Sequence, residues 1–102
     1  MATWVSICKD NQVKEGEMKG FNVGGKSVAV ARVKGEFLVF NNVCTHAECE
    51  LSGGTLDGKV VTCWCHGSEF DIQTGRVLTP PAKKPLQTYQ VKVEDGQVLG
   101  EF

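Results

Sequence analysis

Short runs of β-branched, aromatic and aliphatic residues follow one another along this chain, broken by glycine-centred stretches, and no segment keeps a helical period of apolar positions for three turns. The pattern predicts strands. Trp4–Cys8 reads as the first. Met18–Val23 and Ser27–Lys34 flank Gly24–Gly25, a dipeptide suited to a two-residue hairpin because both of its positions tolerate positive φ. Lys34–Gly35–Glu36 turns the chain into Phe37–Asn42. The turn signal Asp57–Gly58 precedes a strand over Lys59–Cys63, and Gln73–Thr74–Gly75 separates Ser68–Ile72 from Arg76–Leu78. Beyond Pro80, Pro81 and Pro85 the chain is expected to run through Gln87–Glu94, turn at Asp95–Gly96 and finish with Gln97–Phe102. Tyr89, Val91 and Val93 alternate with Gln90 and Lys92, which predicts one buried face. Ala47–Thr55 has room for one helical turn at most. The expected fold class is all-β: a β-sandwich or small barrel into which residues from about 42 to 85 are inserted as a subdomain of loops and short strands, too small for a core of its own.

Composition narrows the classes of function. A chain of 102 residues makes a single domain, 1–102. Its net charge of −1 offers no basic field for nucleic acid. No apolar run approaches the roughly 20 residues of a spanning helix, and the first residues lack the basic-then-apolar pattern of a secretory signal. The expectation is a cytoplasmic monomer with no membrane association. Thiols usually stay reduced in that compartment, so clustered cysteines point to metal or redox chemistry before a disulfide scaffold.

The cysteines are clustered. CTHAEC (Cys44–Cys49) and CWCH (Cys63–His66) hold four of the 5 cysteines and both of the 2 histidines. Thiolate and imidazole suit zinc, copper or iron–sulfur centres. Cys44-x-His46 and Cys63-x-x-His66 each offer one sulfur and one nitrogen, with residues 47–62 between them, and neighbouring strands could hold the two loops side by side. Two Cys and two His also make a valid tetrahedral zinc site. The motif order argues against it, because zinc sites commonly pair cysteine with cysteine and histidine with histidine. Mixed pairs suit a two-iron centre with sulfur donors on one iron and imidazoles on the other.

CTHAEC together with CWCHGSEFD resembles the two cluster loops of Rieske-type iron–sulfur proteins, from Asn42 to about Pro85, and the β-rich flanks agree with that family's fold. The resemblance implies one Rieske [2Fe–2S] cluster with Cys44 and Cys63 on one iron and His46 and His66 on the other. The oxidised centre would then be formally neutral, whereas four thiolates would leave it two charges more negative. An electron is therefore accepted more easily, in line with potentials of roughly −150 to +300 mV for Rieske centres against about −400 mV for plant-type ferredoxins.

The same resemblance assigns roles to neighbours. Cys49 and Cys65 fall where the respiratory and photosynthetic branch has a disulfide between the loops, and where ferredoxins of aromatic-ring oxygenases usually lack one. A Cys49–Cys65 bridge is the expectation, with two reduced thiols beneath the centre as the alternative. Ser68 matches a serine whose hydroxyl bonds a cluster sulfur. Phe70 stands where the high-potential branch has tyrosine and cannot donate that bond, so the expected potential lies below that of the respiratory subunits. Its ring also suits plain core. Pro81 belongs to Thr79–Pro80–Pro81–Ala82, similar to the family's proline segment covering the cluster. Glu48, Glu50, Glu69, Asp71, Lys83 and Lys84 could steer a partner or be ordinary solvated charges. Trp64 replaces the commoner proline between the second-loop cysteines, where it could shield the centre. Cys8, in the first strand, reads as a small buried hydrophobe.

Nothing in the chain suggests a nucleophile–base pair, a nucleotide loop or an open iron position. The expected role is not that of an enzyme but of an electron carrier. The resemblance to oxygenase ferredoxins implies a flavin-containing NAD(P)H reductase upstream and a terminal oxygenase or similar acceptor downstream. A small subunit of a nitrite reductase-like complex is the alternative within electron transfer. A zinc-binding interaction module, or a redox sensor using Cys49 and Cys65, are the alternatives outside it.

Overall fold

The computed structural model describes residues 3–45, 49–65, 67–80 and 82–102. Its strands are β1 (Trp4–Lys9), β2 (Met18–Val23), β3 (Lys26–Val33), β4 (Glu36–Asn41), β5 (Thr55–Asp57), β6 (Val60–Thr62), β7 (Glu69–Asp71), β8 (Val77–Thr79), β9 (Thr88–Tyr89), β10 (Val91–Glu94) and β11 (Gln97–Glu101). Single 3₁₀ turns occupy Asp10–Gln12 and Leu51–Gly53. The strands pair antiparallel into three sheets, ordered β1-β11-β10, β2-β3-β4-β9 and β5-β6-β7-β8. The protein is therefore nearly all-β.

The register of β3 explains the architecture. Val28, Val30 and Phe37, Val39 of β4 belong to one buried cluster, with Cys8, Val13 and Val98. Ala29, Ala31, Val33 and Phe40 belong to another, with Cys44, Leu51, Val61, Cys63, Phe70, Ile72, Ala82 and Leu86. Successive residues of a strand point to opposite faces, so the β2–β4 sheet has a core on each side. That is why β3 reads as an unbroken apolar run and not as an alternating one. Cys8 is a core residue, 6% exposed, and burial and the nearby Asp10 both push its thiol pKa up, against a smaller opposing pull from Lys19.

Three hairpins close on turns with positive φ at both central residues: Gly24–Gly25 (56° and 87°), Lys34–Gly35 (52° and 77°) and Asp95–Gly96 (49° and 74°). This backbone matches the twist of the flanking strands. The lysine in the second turn is an unusual occupant. The Glu15 carboxylate compensates there, accepting bonds from the Lys34 N–H at 2.5 Å and the Gly35 N–H at 2.6 Å.

Two expectations need correction. The continuous strand over Gln87–Glu94 is two strands: Tyr89 pairs with Val39 in one sheet and Val91 with Gly100 in another, so the chain changes sheets at Gln90. Its alternation buries less than predicted, and Val93 is 45% exposed. Thr55–Asp57, read only as the approach to a turn, is a strand paired with β6. Among the described residues no helix is long and apolar enough to cross a membrane.

Candidate metal centre

Both cysteine-bearing stretches are hairpin tips with closed bases. The first leaves β4 and returns through an antiparallel bridge between Val43 and Glu50, with the Cys44 N–H donating to the Cys49 carbonyl at 2.9 Å. The second joins β6 to β7, with the Cys63 N–H bonded to the Ser68 carbonyl at 2.8 Å and the Gly67 N–H returning to the Cys63 carbonyl at 3.0 Å. Gly67 has φ of 77°, which a side chain would resist.

The structure brings these tips together. Cys44 and Cys63 are buried, 4% and 1% exposed, in one core cluster against which Cys49 and Cys65 pack. Cys49 and Cys65 are joined by a disulfide with Cα atoms 6.4 Å apart. The sulfurs of Cys49, Cys63 and Cys65 all lie within 4.8 Å of one another. A third segment fastens to both tips. The buried Ser68 hydroxyl oxygen accepts the Ala82 N–H at 3.0 Å, and the Thr45 hydroxyl donates to the Lys84 carbonyl at 2.7 Å. Accepting that bond occupies a lone pair of Ser68 and leaves its proton available to donate. Phe70 is wholly buried in the same core. His46, His66 and Pro81, along with Glu48, lie outside the described residues.

Three of the carboxylates considered for steering make local bonds. Glu69 accepts from the Thr79 hydroxyl (2.6 Å) and the Thr62 hydroxyl (3.3 Å). Asp71 accepts the Gln73 N–H at 2.9 Å and so shapes the turn before Gly75. Glu50 accepts from Asn42 Nδ2 (3.1 Å) and from the Ser27 hydroxyl (3.3 Å).

Asn42 is the residue that sequence reasoning missed. It is fully buried, and its side chain donates to Ser27 Oγ (3.0 Å) and Glu50 while its Oδ1 accepts the Ser52 N–H at 2.8 Å. Its backbone N–H bonds the Ser27 carbonyl at 3.1 Å and its carbonyl accepts the Leu51 N–H at 2.6 Å. It thus ties β3 to both ends of the first tip. The one signal for it was a polar residue closing an apolar strand immediately before the ligand loop.

The donor chemistry fits an iron–sulfur group. Two soft sulfur donors come from separate tips into one dry core, a covalent cross-link holds those tips together, and a buried hydroxyl stands beside them.

A β-scaffold presenting two cysteine loops at one end is thus the class of protein that fold and site define. The family model of the Rieske [2Fe-2S] domain matches residues 3–90, and the chain belongs to that family. It is 39% identical over 101 residues to the biphenyl dioxygenase ferredoxin subunit of Pseudomonas sp. (strain KKS102), a match covering 98% of this chain and 93% of that one. Among solved structures it resembles the Sphingomonas yanoikuyae B1 ferredoxin with a TM-score of 0.93 and 36% identity, over 98% of this chain and 99% of that one. It also resembles a chain in the complex of reduced oxygenase and oxidised ferredoxin of carbazole 1,9a-dioxygenase, with a TM-score of 0.88 and 36% identity, over 95% and 91% of the two chains.

Proposed function

We propose that this protein is the ferredoxin component of a multicomponent oxygenase system, taking single electrons from an NAD(P)H-dependent flavin reductase and passing them to a terminal oxygenase. It is the carrier of that system, not its catalyst. The observation that carries the reading is near-full-length similarity to a dioxygenase ferredoxin subunit, 98% of one chain against 93% of the other, in a chain with two buried cysteines on adjoining tips.

In this reading Cys44 and Cys63 hold one iron of a single [2Fe–2S] cluster and His46 and His66 the other. When bound, such a cluster supplies a reversible one-electron couple. The protein's own residues supply its setting. The apolar core around Cys44 and Cys63 excludes water, and low dielectric strengthens every dipole aimed into it. The Ser68 hydroxyl is free to donate to a sulfur and so favours the reduced, more negative state. The disulfide limits how far the tips can part on a change of charge. The domain is single, 1–102, with residues 42–85 as its cluster-bearing part. It works as a monomer in the cytoplasm.

Iron and acid-labile sulfide analysis, with electron paramagnetic resonance of the dithionite-reduced protein, tests this. The expected result is two irons and two sulfides per chain and a low average g value typical of mixed nitrogen and sulfur ligation, with the signal abolished in Cys44→Ser, Cys63→Ser, His46→Ala and His66→Ala. Zinc without sulfide in the purified protein, or an unchanged spectrum in either histidine variant, refutes it.

A further inference from the structure

Trp64 is the most exposed of the large apolar side chains among the described residues, at 62%. An exposed tryptophan on a loop normally samples several rotamers, but this one is seated. Its indole N–H donates to the Glu50 carbonyl at 3.1 Å. Its ring lies against Gly53, where an added Cβ would stand 3.0 Å from Nε1 and 3.2 Å from Cδ1, so the absence of a side chain there makes the seat. Glu50 is held in turn by Asn42 and Ser27, and the Gly53 N–H bonds the Glu50 carbonyl at 3.1 Å. The second cysteine loop is thereby latched onto the first through an aromatic ring that still turns most of its surface to solvent.

That combination does not serve shielding, which would bury the ring. A rigid, amphipathic, solvent-facing aromatic offers large contact area at small entropic cost, and tryptophans of this kind are enriched among the few residues that dominate interface energetics. Its position says what covers it. Trp64 lies between Cys63 and Cys65 and two positions before His66. An electron leaving the centre crosses a short gap, so the surface of the protein that accepts it must close over this loop. A relative of this chain at 36% identity is seen in complex with its oxygenase.

We propose that Trp64 is the aromatic anchor of the docking surface for the electron acceptor, a terminal oxygenase. The inference rests on the electron-carrier reading above and extends it to the residue that recognises the partner. Phe70 and Leu51, by contrast, are buried and cannot take this part.

The test is steady-state turnover of the terminal oxygenases of the biphenyl and carbazole dioxygenase systems, with this protein as the varied electron donor. Trp64→Ala is expected to raise KM for the donor at least about tenfold. Maximal rate, paramagnetic spectrum, midpoint potential and reduction of ferricyanide, which needs no docking, should stay as in the wild type. Trp64→Phe, keeping a ring but losing the indole N–H, should fall between the two. A KM for Trp64→Ala within twofold of wild type overturns the proposal, and so does a shifted potential or spectrum, which would make Trp64 a support for the centre instead. If the wild type carries its cluster yet reduces neither oxygenase, the carrier reading itself fails and takes the anchor with it. That outcome is recognised by there being no donor KM to compare.

Discussion

The two faces of the β2–β4 sheet are built by different means. On one side Val28, Val30, Phe37 and Val39 pack against Val13 and Val98, and the sheet formed by β1, β10 and β11 supplies strands of four to six residues joined by a tight hairpin. On the other side β3 presents Ala29, Ala31 and Val33, and the covering strands β5 to β8 are three residues each. The first half is held by area: each fully buried valine or phenylalanine contributes about 1.5–3 kcal/mol. The second half buries area as well, in Phe40, Leu51, Phe70 and Ile72, but adds discrete fastenings, namely the Cys49–Cys65 disulfide, the Asn42 hub, the Ser68–Ala82 bond and the Thr45–Lys84 bond. Area-based stability is lost gradually as side chains shrink, whereas fastenings are lost one at a time. The comparison teaches that the cysteine end is the part most exposed to single substitutions.

The largest effect outside the ligands themselves is expected from the disulfide. It spans a sequence separation of 16 residues, and closing a loop of that size stabilises by about 3 kcal/mol on a chain-entropy account. The Cys49→Ser/Cys65→Ser variant should therefore unfold at a lower urea midpoint, with an unfolding free energy smaller by about 3 kcal/mol. Native-state hydrogen exchange should show the loss concentrated at residues 43–45, 49–51 and 63–65, with β1, β10 and β11 unchanged. Equal midpoints for the two proteins would show that the bond constrains nothing and would remove the main contrast between the halves.

Asn42→Ala comes next. It removes three side-chain bonds from a fully buried position and leaves the Ser52 N–H without its acceptor. An abandoned, part-buried donor and the void left at the fully buried Asn42 position cost about 2–3 kcal/mol. Faster amide exchange at Ser52 and Leu51, measured in the folded protein, should accompany the lower stability. A loss under about 0.5 kcal/mol would mean that the first tip is held by its backbone bridge alone.

These fastenings also explain what could be read in advance. Strands β1 to β4 are legible because glycine turns bracket long apolar runs, and the motif spacing singles out Cys44 and Cys63, which the fold buries in one core. β5 was not legible, because Thr-Leu-Asp has no pattern of its own and becomes a strand only through pairing with Val60–Thr62. The break between β9 and β10 was hidden by an alternation that runs straight through Gln90 while the chain crosses from one sheet to the next. The Asn42 hub and the seat of Trp64 were hidden for a further reason. Most of their hydrogen-bond partners are distant in sequence, at Ser27, Glu50 and Ser52, and backbone acceptors leave no mark in a motif.

The smallest effect is the most diagnostic of sign. At the far end of β4 from the cysteine tips, Glu15 caps the Lys34–Gly35 turn, and the bonds from Gly35 and Lys34 hold its carboxyl below the usual carboxylate range. A depressed folded-state pKa means that the unfolded chain binds the proton more readily. The contribution is therefore present above the unfolded carboxylate value of about 4.3 and is lost as pH falls from there through the folded value. Glu15→Gln keeps an acceptor for one N–H but no charge. Melting curves from pH 6 to pH 3 should show the variant less stable at the upper end, with a flatter decline, so that the two proteins converge in acid. The other carboxylates titrate alike in both, so the difference isolates this one group. Because Glu15 is fully exposed, added salt should shrink the gap. The disulfide effect should survive salt, since a covalent bond involves no solvated charge. Curves that stay parallel from pH 6 to pH 3 would show that this fastening acts through shape and not through charge.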